Sequence, residues 1–205
     1  VVGDLCHDSK RTGQEALFQD KNMKLTDLIL SDLERHFHYN GKQGTIPKMS
    51  QIWICFVHPR CIPITLHRFS HRSLSHGLPG RIAAKFLTWV NFFLFGIEID
   101  SRCTIGPGCY LPHPNGTVIG AYSIGSGALI YQQVTLGART PRVDQGGRPY
   151  IGNNVILGAG AKVLGEITVG NDSIIGPNSV VLESLPARVT ALGVPAVIIK
   201  TKESK

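Results

Sequence analysis

Several things are missing from this 205-residue chain, and each absence removes a class of protein. Its longest apolar run, Phe86 to Ile97, is interrupted by Asn91 and is well short of the roughly 20 residues that cross a bilayer, so no membrane span is expected. The first residues, VVGDLCHDSK, lack a basic segment followed by an apolar one, so no secretory leader is read and a cytoplasmic location is expected. The five cysteines form no CxxC pair and no zinc spacing, which argues against a disulfide framework or a cysteine metal site. Charged residues make up only 17%, and the Lys and Arg that give a net charge of +7 are scattered rather than clustered, so no nucleic-acid partner is expected.

What is present is unevenly placed. Seven of the 23 glycines lie in positions 1–96 and sixteen in 97–205, and the first half holds twelve Lys/Arg against seven Asp/Glu. Two differently built regions are expected: residues 23–96 helical and 97–186 repetitive, with 187–205 as a tail. Met23 is a candidate natural start, which would leave 1–22 as an extension. In the first region Leu25 to Phe37 has helical spacing with Thr26 as N-cap, a second helix runs from Ile64 to Ser75, and a third follows Pro79-Gly80 and reaches Phe95. Residues 41–50 read as a loop, and the aromatics Phe86, Trp89, Phe92, Phe93 and Phe95 are expected to pack on neighbouring helices or the end of the repeat region.

From Ile99 onward an aliphatic residue recurs every six positions: IDSRCT, IGPGCY, LPHPNG, then, after one extra residue at Thr117, VIGAYS, IGSGAL, IYQQVT, LGARTP. A nine-residue interruption follows, and the period resumes as IGNNVI, LGAGAK, VLGEIT, VGNDSI, IGPNSV, VLESLP. All thirteen first positions are Ile, Leu or Val, seven second positions are Gly, and fifth positions are mostly small or β-branched. One large inward residue, one small inward residue and a flexible corner describe a short strand plus a bend. Three such units make a triangular coil of about eighteen residues, stacked about 4.8 Å from the next. The expected fold is mainly β: a parallel β-helix with a loop at 139–150.

Seven of the eight histidines precede the repeats, so the repeat region contains one, His113, stiffened by Pro112 and Pro114. A rigidly held imidazole suits a general base. Counting hexads, and allowing for Thr117, Gln132 should stack on His113 in the next coil and Ala159 on Gln132 in the one after. The amide oxygen of Gln132 could then hold the Nδ1 hydrogen of His113. Cys103 and Cys109 fall on inward positions and read as core thiols.

The repeats, with LPHPNGTVIG, QQVTLG, GAGAKVLG, IGPNSVVL and GVPA, resemble the hexapeptide-repeat acyltransferases, and within them the serine acetyltransferase group. That resemblance implies a left-handed β-helix, acetyl-CoA as co-substrate without a metal, and direct transfer of acetyl to an acceptor hydroxyl. It also implies homotrimers, alone or paired, with active sites between neighbouring prisms. His113 corresponds to the base. Gly137, Ala159, Ala161, Lys162, Gly193, Pro195 and Lys200 fall where CoA is held. His58 (with Pro59), Asp144 and Arg148 fall where the acceptor is held. Pro112 stands where the group usually has Asp, His58 where it has another, and Gly147-Arg148-Pro149 where it has Arg-His-Pro. L-serine is therefore one acceptor reading and a sugar hydroxyl the other, with a noncatalytic scaffold as the alternative of another class.

Overall fold

The computed structural model describes residues 23–39, 41, 57–140 and 147–201. The expected extension 1–22 and most of the expected loop 41–50 lie outside them. Three helices precede the repeats: α1 (Leu25–Tyr39), α2 (Ile62–Ser73) and, after a 3₁₀ turn at Leu74–His76, α3 (Gly77–Phe95).

Helix boundaries differ from the expected ones for local reasons. The carbonyl of Lys24 accepts from Asp27 and Leu28, so α1 is already under way at Thr26, whose hydroxyl reaches Asp27 instead of capping. Pro63 sits in the first turn of α2 and Pro79 in that of α3, where a missing N–H costs nothing. Gly96, at φ 60, closes α3 with its N–H on Phe92.

The repeats form three sheets, which are the faces of a prism. Face I stacks Glu98–Ile99, Val118–Ile119, Thr135–Gly137, Lys162–Leu164 and Val180–Val181, all parallel. Face II stacks Thr104–Ile105, Ser123–Ile124, Tyr150–Ile151 and Thr168–Val169. Face III stacks Leu129–Ile130, Ile156–Leu157, Ile174–Ile175 and Val189–Gly193, and the chain then folds back antiparallel as Ala196–Thr201. Twelve of the thirteen first hexad positions are at most 1% exposed and fill the interior with the fifth-position residues Cys103, Cys109, Ala128, Val134, Val155 and Ala161. Burial drives the Cys109 thiol up to about 12, with the nearby Asp32 adding to it, and Cys103 is raised further in the same way. Both therefore stay thiols in the core.

The thirteenth first position corrects the expected register. Val118 is 38% exposed and Ile119, at 1%, takes the inward place. Eight residues thus separate the starts of the units at Leu111 and Ile119, and only five the next pair, Ile119 and Ile124. The extra length is not Thr117, which is itself buried, but a two-residue excess ahead of Gly116. Tyr110 pairs with Leu129 while the carbonyl of Asn115 already accepts from Gln133, so the surplus falls within Leu111–Pro114. Two prolines there prevent the chain from settling into the ladder.

The helices are bolted to the first coils by polar side chains. Arg68 of α2 and Asp32 of α1 form a buried two-pronged pair at 3.0 and 3.1 Å. Arg68 also donates to the carbonyls of Ile105 and Gly106, and Asp32 accepts from the N–H of Cys109 at 2.8 Å. His67 and His71 donate to the carbonyls of Cys103 and Ser101, at 3.1 and 2.8 Å. This explains part of the histidine crowding before the repeats. The expected packing of the α3 aromatics is not found: Phe86, Trp89, Phe92 and Phe93 are 54–76% exposed, and only Phe95 packs partly on the core.

Candidate active site

Two corners of the prism turn through left-handed residues. Between faces II and III these are Gly108, Gly127, Asn154, Asp172 and Arg188; between faces III and I they are Gly116, Gln133, Gly160 and Asn178. The second corner carries His113. The surplus residues push its imidazole out of the ladder, and the ring is exposed while Leu111, Pro112 and Pro114 around it are buried.

His113 borders a cleft of about 580 Å³ lined by Pro59, Arg60, Leu94, Phe95, Pro112, Pro114, Asn115, Gln132 and Gln133. One wall is the prism corner, another the end of α3, and the third the turn before α2. Among the described residues no carboxylate lines it. The expected stacking of Gln132 on His113 is corrected by the register: Asn115 occupies the rung beside Gln132, and His113 lies on the projecting loop. Both side chains still line the same cleft. Oε1 of Gln132 is buried and accepts no hydrogen bond, a costly arrangement for an amide oxygen. The expected continuation does hold, since Gly160 donates to the carbonyl of Gln132 at 2.9 Å and Asn178 to that of Ala159 at 2.8 Å, which puts Ala159 on the same corner.

The other residues expected to hold CoA divide into three groups. Lys162 is exposed on face I, with Nζ on the carbonyl of Gly160 at 2.9 Å, so it borders the corner. Gly137 ends its strand one coil earlier on face I, facing open space. Gly193 and Pro195 form the reversal on face III. The N–H of Gly193 meets Ser179 Oγ at 3.2 Å, which ties the reversal to the last rung of the corner. Lys200, paired with Thr190, is exposed on the returning strand. Ala161 is corrected: it is 0% exposed, its N–H donates to Gly158 and its carbonyl accepts from Thr135, so it has nothing to offer a ligand.

Of the residues expected to hold the acceptor, the two described ones, His58 and Arg148, do not line the His113 cleft. Arg148 ends the insertion between faces I and II, on a different corner, and donates to Asp100. Burial by itself would raise the Asp100 carboxyl, but hydrogen bonds from Arg102 and Arg148 hold it well below the usual carboxylate range. Asp144 lies outside the described residues. His58 does not line the cleft, and its ring sits 4.6 Å from that of His36. Its neighbours Pro59 and Arg60 do line it, and Arg60 is a cation the sequence reading missed because nothing local marks it as facing His113. Among the described residues, one group has the chemistry to hold a metal: His36, His58 and Cys61, with ligand atoms within 4.8 Å of one another. Sequence spacing could not show it, because the fold assembles it from α1 and the turn before α2.

Comparison with known proteins agrees with this architecture. The profile of the family described as bacterial transferase hexapeptide (six repeats) matches residues 148–183. A serine acetyltransferase from Synechococcus elongatus is 37% identical over 150 residues, which is 73% of this chain and 59% of that protein. The chain therefore spans about three-fifths of that curated relative's length. A truncated serine acetyltransferase solved as the apoenzyme superposes with a TM-score of 0.75 at 30% identity, over 91% of this chain and 74% of its own. Another, solved in complex with CoA, gives a TM-score of 0.71 at 29% identity, over 91% and 73%. The fold is the left-handed parallel β-helix with a helical region before it, and the chain belongs to the hexapeptide-repeat transferases, in their serine acetyltransferase-like group.

Proposed function

We propose that this chain is an acetyl-CoA-dependent O-acetyltransferase of the serine O-acetyltransferase type. The observation that carries the reading is the projection of His113 into a cleft beside a buried amide oxygen without a partner, that of Gln132. A neutral imidazole whose Nδ1 hydrogen is held by Gln132 Oε1 presents a lone pair on Nε2. That nitrogen takes the proton of the acceptor hydroxyl as the oxygen attacks the thioester carbonyl. On collapse of the tetrahedral adduct the imidazolium returns the proton to the departing CoA sulfur. No acyl-enzyme is required, in keeping with the buried thiols of Cys103 and Cys109.

CoA fits along the corner below His113. From Gln132 through Ala159 to the last rung the corner descends in steps of about 4.8 Å, a narrow track for the pantetheine arm that leads to Gly193 and Pro195. Lys162, which borders the corner, and Lys200, exposed on the returning strand, are the cations assigned to the nucleotide phosphates. A serine acetyltransferase of the same fold has been solved with CoA, which supports CoA as the donor.

The acceptor reading has two branches. For L-serine, Arg60 can face the carboxylate, while the ammonium needs an acid, which no described residue of the cleft supplies. Arg148 sits on another corner, so in this reading it serves His113 from a neighbouring subunit. This is a reason to expect the homotrimer, with trimers pairing through the helical region. The amide side chains of Asn115, Gln132 and Gln133 that line the cleft suit the second branch, a sugar hydroxyl. A cytoplasmic location suits either branch, since acetyl-CoA is supplied there.

The test is an acceptor screen with acetyl-CoA in which products are read by mass spectrometry and kcat/KM is compared for L-serine and a panel of sugars. Efficient serine acetylation that falls with Asp144→Asn or Arg148→Ala supports the first branch with a site shared between subunits. Preference for a sugar supports the second, and no CoA binding by calorimetry would leave only the scaffold.

A further inference from the structure

Helix α3 is built inside out. Its buried positions are Gly80, Ala84 and Asn91, small or polar residues that let it lie close on α2. A Cβ on Gly80 would stand 1.9 Å from the carbonyl oxygen of Ser73, and Asn91 donates to the carbonyl of Pro63 at 3.0 Å. The opposite side carries Leu78, Ile82, Phe86, Trp89 and Phe93, whose spacing puts them on one stripe along the whole helix. They are 70, 63, 63, 67 and 76% exposed. Burying side chains of this size is strongly favourable, so a continuous stripe of five marks a surface that meets something apolar.

The edge of the stripe gives the chemistry of the partner. Arg81 and Lys85 each precede a stripe residue by one position and so flank the same side, and the helix contains no Asp or Glu. With Thr88 and Trp89 they border a groove of about 810 Å³, closed by Leu74, Glu98, Asp100, Ser101 and Arg102. Asp100 is engaged by Arg102 and Arg148, and Glu98 is the groove's other acid, so the side formed by the helix, with Arg81 and Lys85, is the basic one. A layer of anionic headgroups over an apolar interior complements both features together.

We propose that α3 is a membrane-surface anchor. It lies in the plane of an anionic bilayer, with Ile82, Phe86, Trp89 and Phe93 at the acyl boundary and Arg81 and Lys85 at the phosphates. It does not span: among the described residues no helix is long and apolar enough to cross. The role is separate from acetyl transfer and stands or falls independently of it.

The experiment is co-sedimentation of the full chain with vesicles of phosphatidylcholine alone and of phosphatidylcholine mixed with phosphatidylglycerol. Binding is expected to the mixed vesicles and to fall steeply with salt. Arg81→Gln with Lys85→Gln should weaken it roughly thirty-fold, from about 1 kcal/mol for each basic residue near the surface. Phe86→Ser with Phe93→Ser should weaken it at least as much, with the thermal melt retained as evidence of folding. Bromolipid quenching of tryptophan emission that disappears in Trp89→Phe would place the ring in the boundary. Failure of the wild-type chain to bind mixed vesicles overturns the proposal. So does equal binding to both vesicle types, or a loss of subunit association in the Phe86→Ser, Phe93→Ser chain without lipid, which would make the stripe a protein contact.

Discussion

The two left-handed corners of the prism share a backbone conformation and differ in how their polar groups are used. Between faces II and III the ladder is closed: Asn153 Oδ1 accepts from Ser126 at 2.8 Å, Asn171 Oδ1 from Asn153 at 2.7 Å, and Asn154 donates to Asp172 at 3.1 Å. Arg35 of α1 adds a donor to the carbonyl of Gly127, and Asp32 with Arg68 holds the first turn of the same corner. Between faces III and I the same turn is interrupted by two surplus residues, the histidine stands outside the ladder, and an amide oxygen is left buried and unused. Where the side-chain amides and carboxylates are spent on the ladder, they are not available to a ligand. Chemistry becomes available where the repeat is broken.

The largest effect should come from the broken corner. His113→Ala is expected to lower kcat by roughly 10² to 10⁴ while calorimetry shows CoA affinity nearly unchanged. On the closed corner the matching lesion is structural. Asp32→Ala leaves the Arg68 guanidinium buried without its carboxylate and should cost about 3–5 kcal/mol in denaturant unfolding. Gln132→Leu separates the two kinds of corner most finely. It removes an unpaired buried oxygen, so the melting temperature should hold or rise, while kcat falls roughly tenfold for one lost orienting hydrogen bond.

The smallest effect concerns Asp100, at the third corner. Its carboxyl is held below the usual value of 3.8, so its contribution to stability is present above that pH and is lost as pH falls through the depressed folded value. The melting difference between the wild-type chain and Asp100→Asn should therefore be seen near neutral pH and shrink on acidification below about pH 4.

The prism was legible because its signal is local and redundant: an error in one hexad is outvoted by twelve others. That redundancy also hid the register error. Val118 and Ile119 are both aliphatic, so either could start the unit, and only the ladder shows that Ile119 turns inward and that the surplus lies by the prolines. The repeat positions bring His113 and Gln132 to one corner, and both line the cleft, but the expected stacking of one on the other is overturned by the register. The helical layer was less readable. Arg60, the His36–His58–Cys61 group and the Asp32–Arg68 pair join residues far apart in sequence, which no periodicity encodes. The α3 stripe has the spacing of a core-facing helix, and the sequence could not say that its small and polar side, Gly80, Ala84 and Asn91, would be the one to pack.

The central claim is that the surplus of two residues at the third-to-first corner makes the site, and it can be tested by removing the surplus. A chain lacking His113 and Pro114 restores the regular rung between Tyr110 and Gly116. It should keep the β-helix circular dichroism and the binding of CoA, yet release no CoA from acetyl-CoA in the presence of the acceptor that the wild-type chain uses. Turnover at the wild-type rate by that shortened chain would contradict the account.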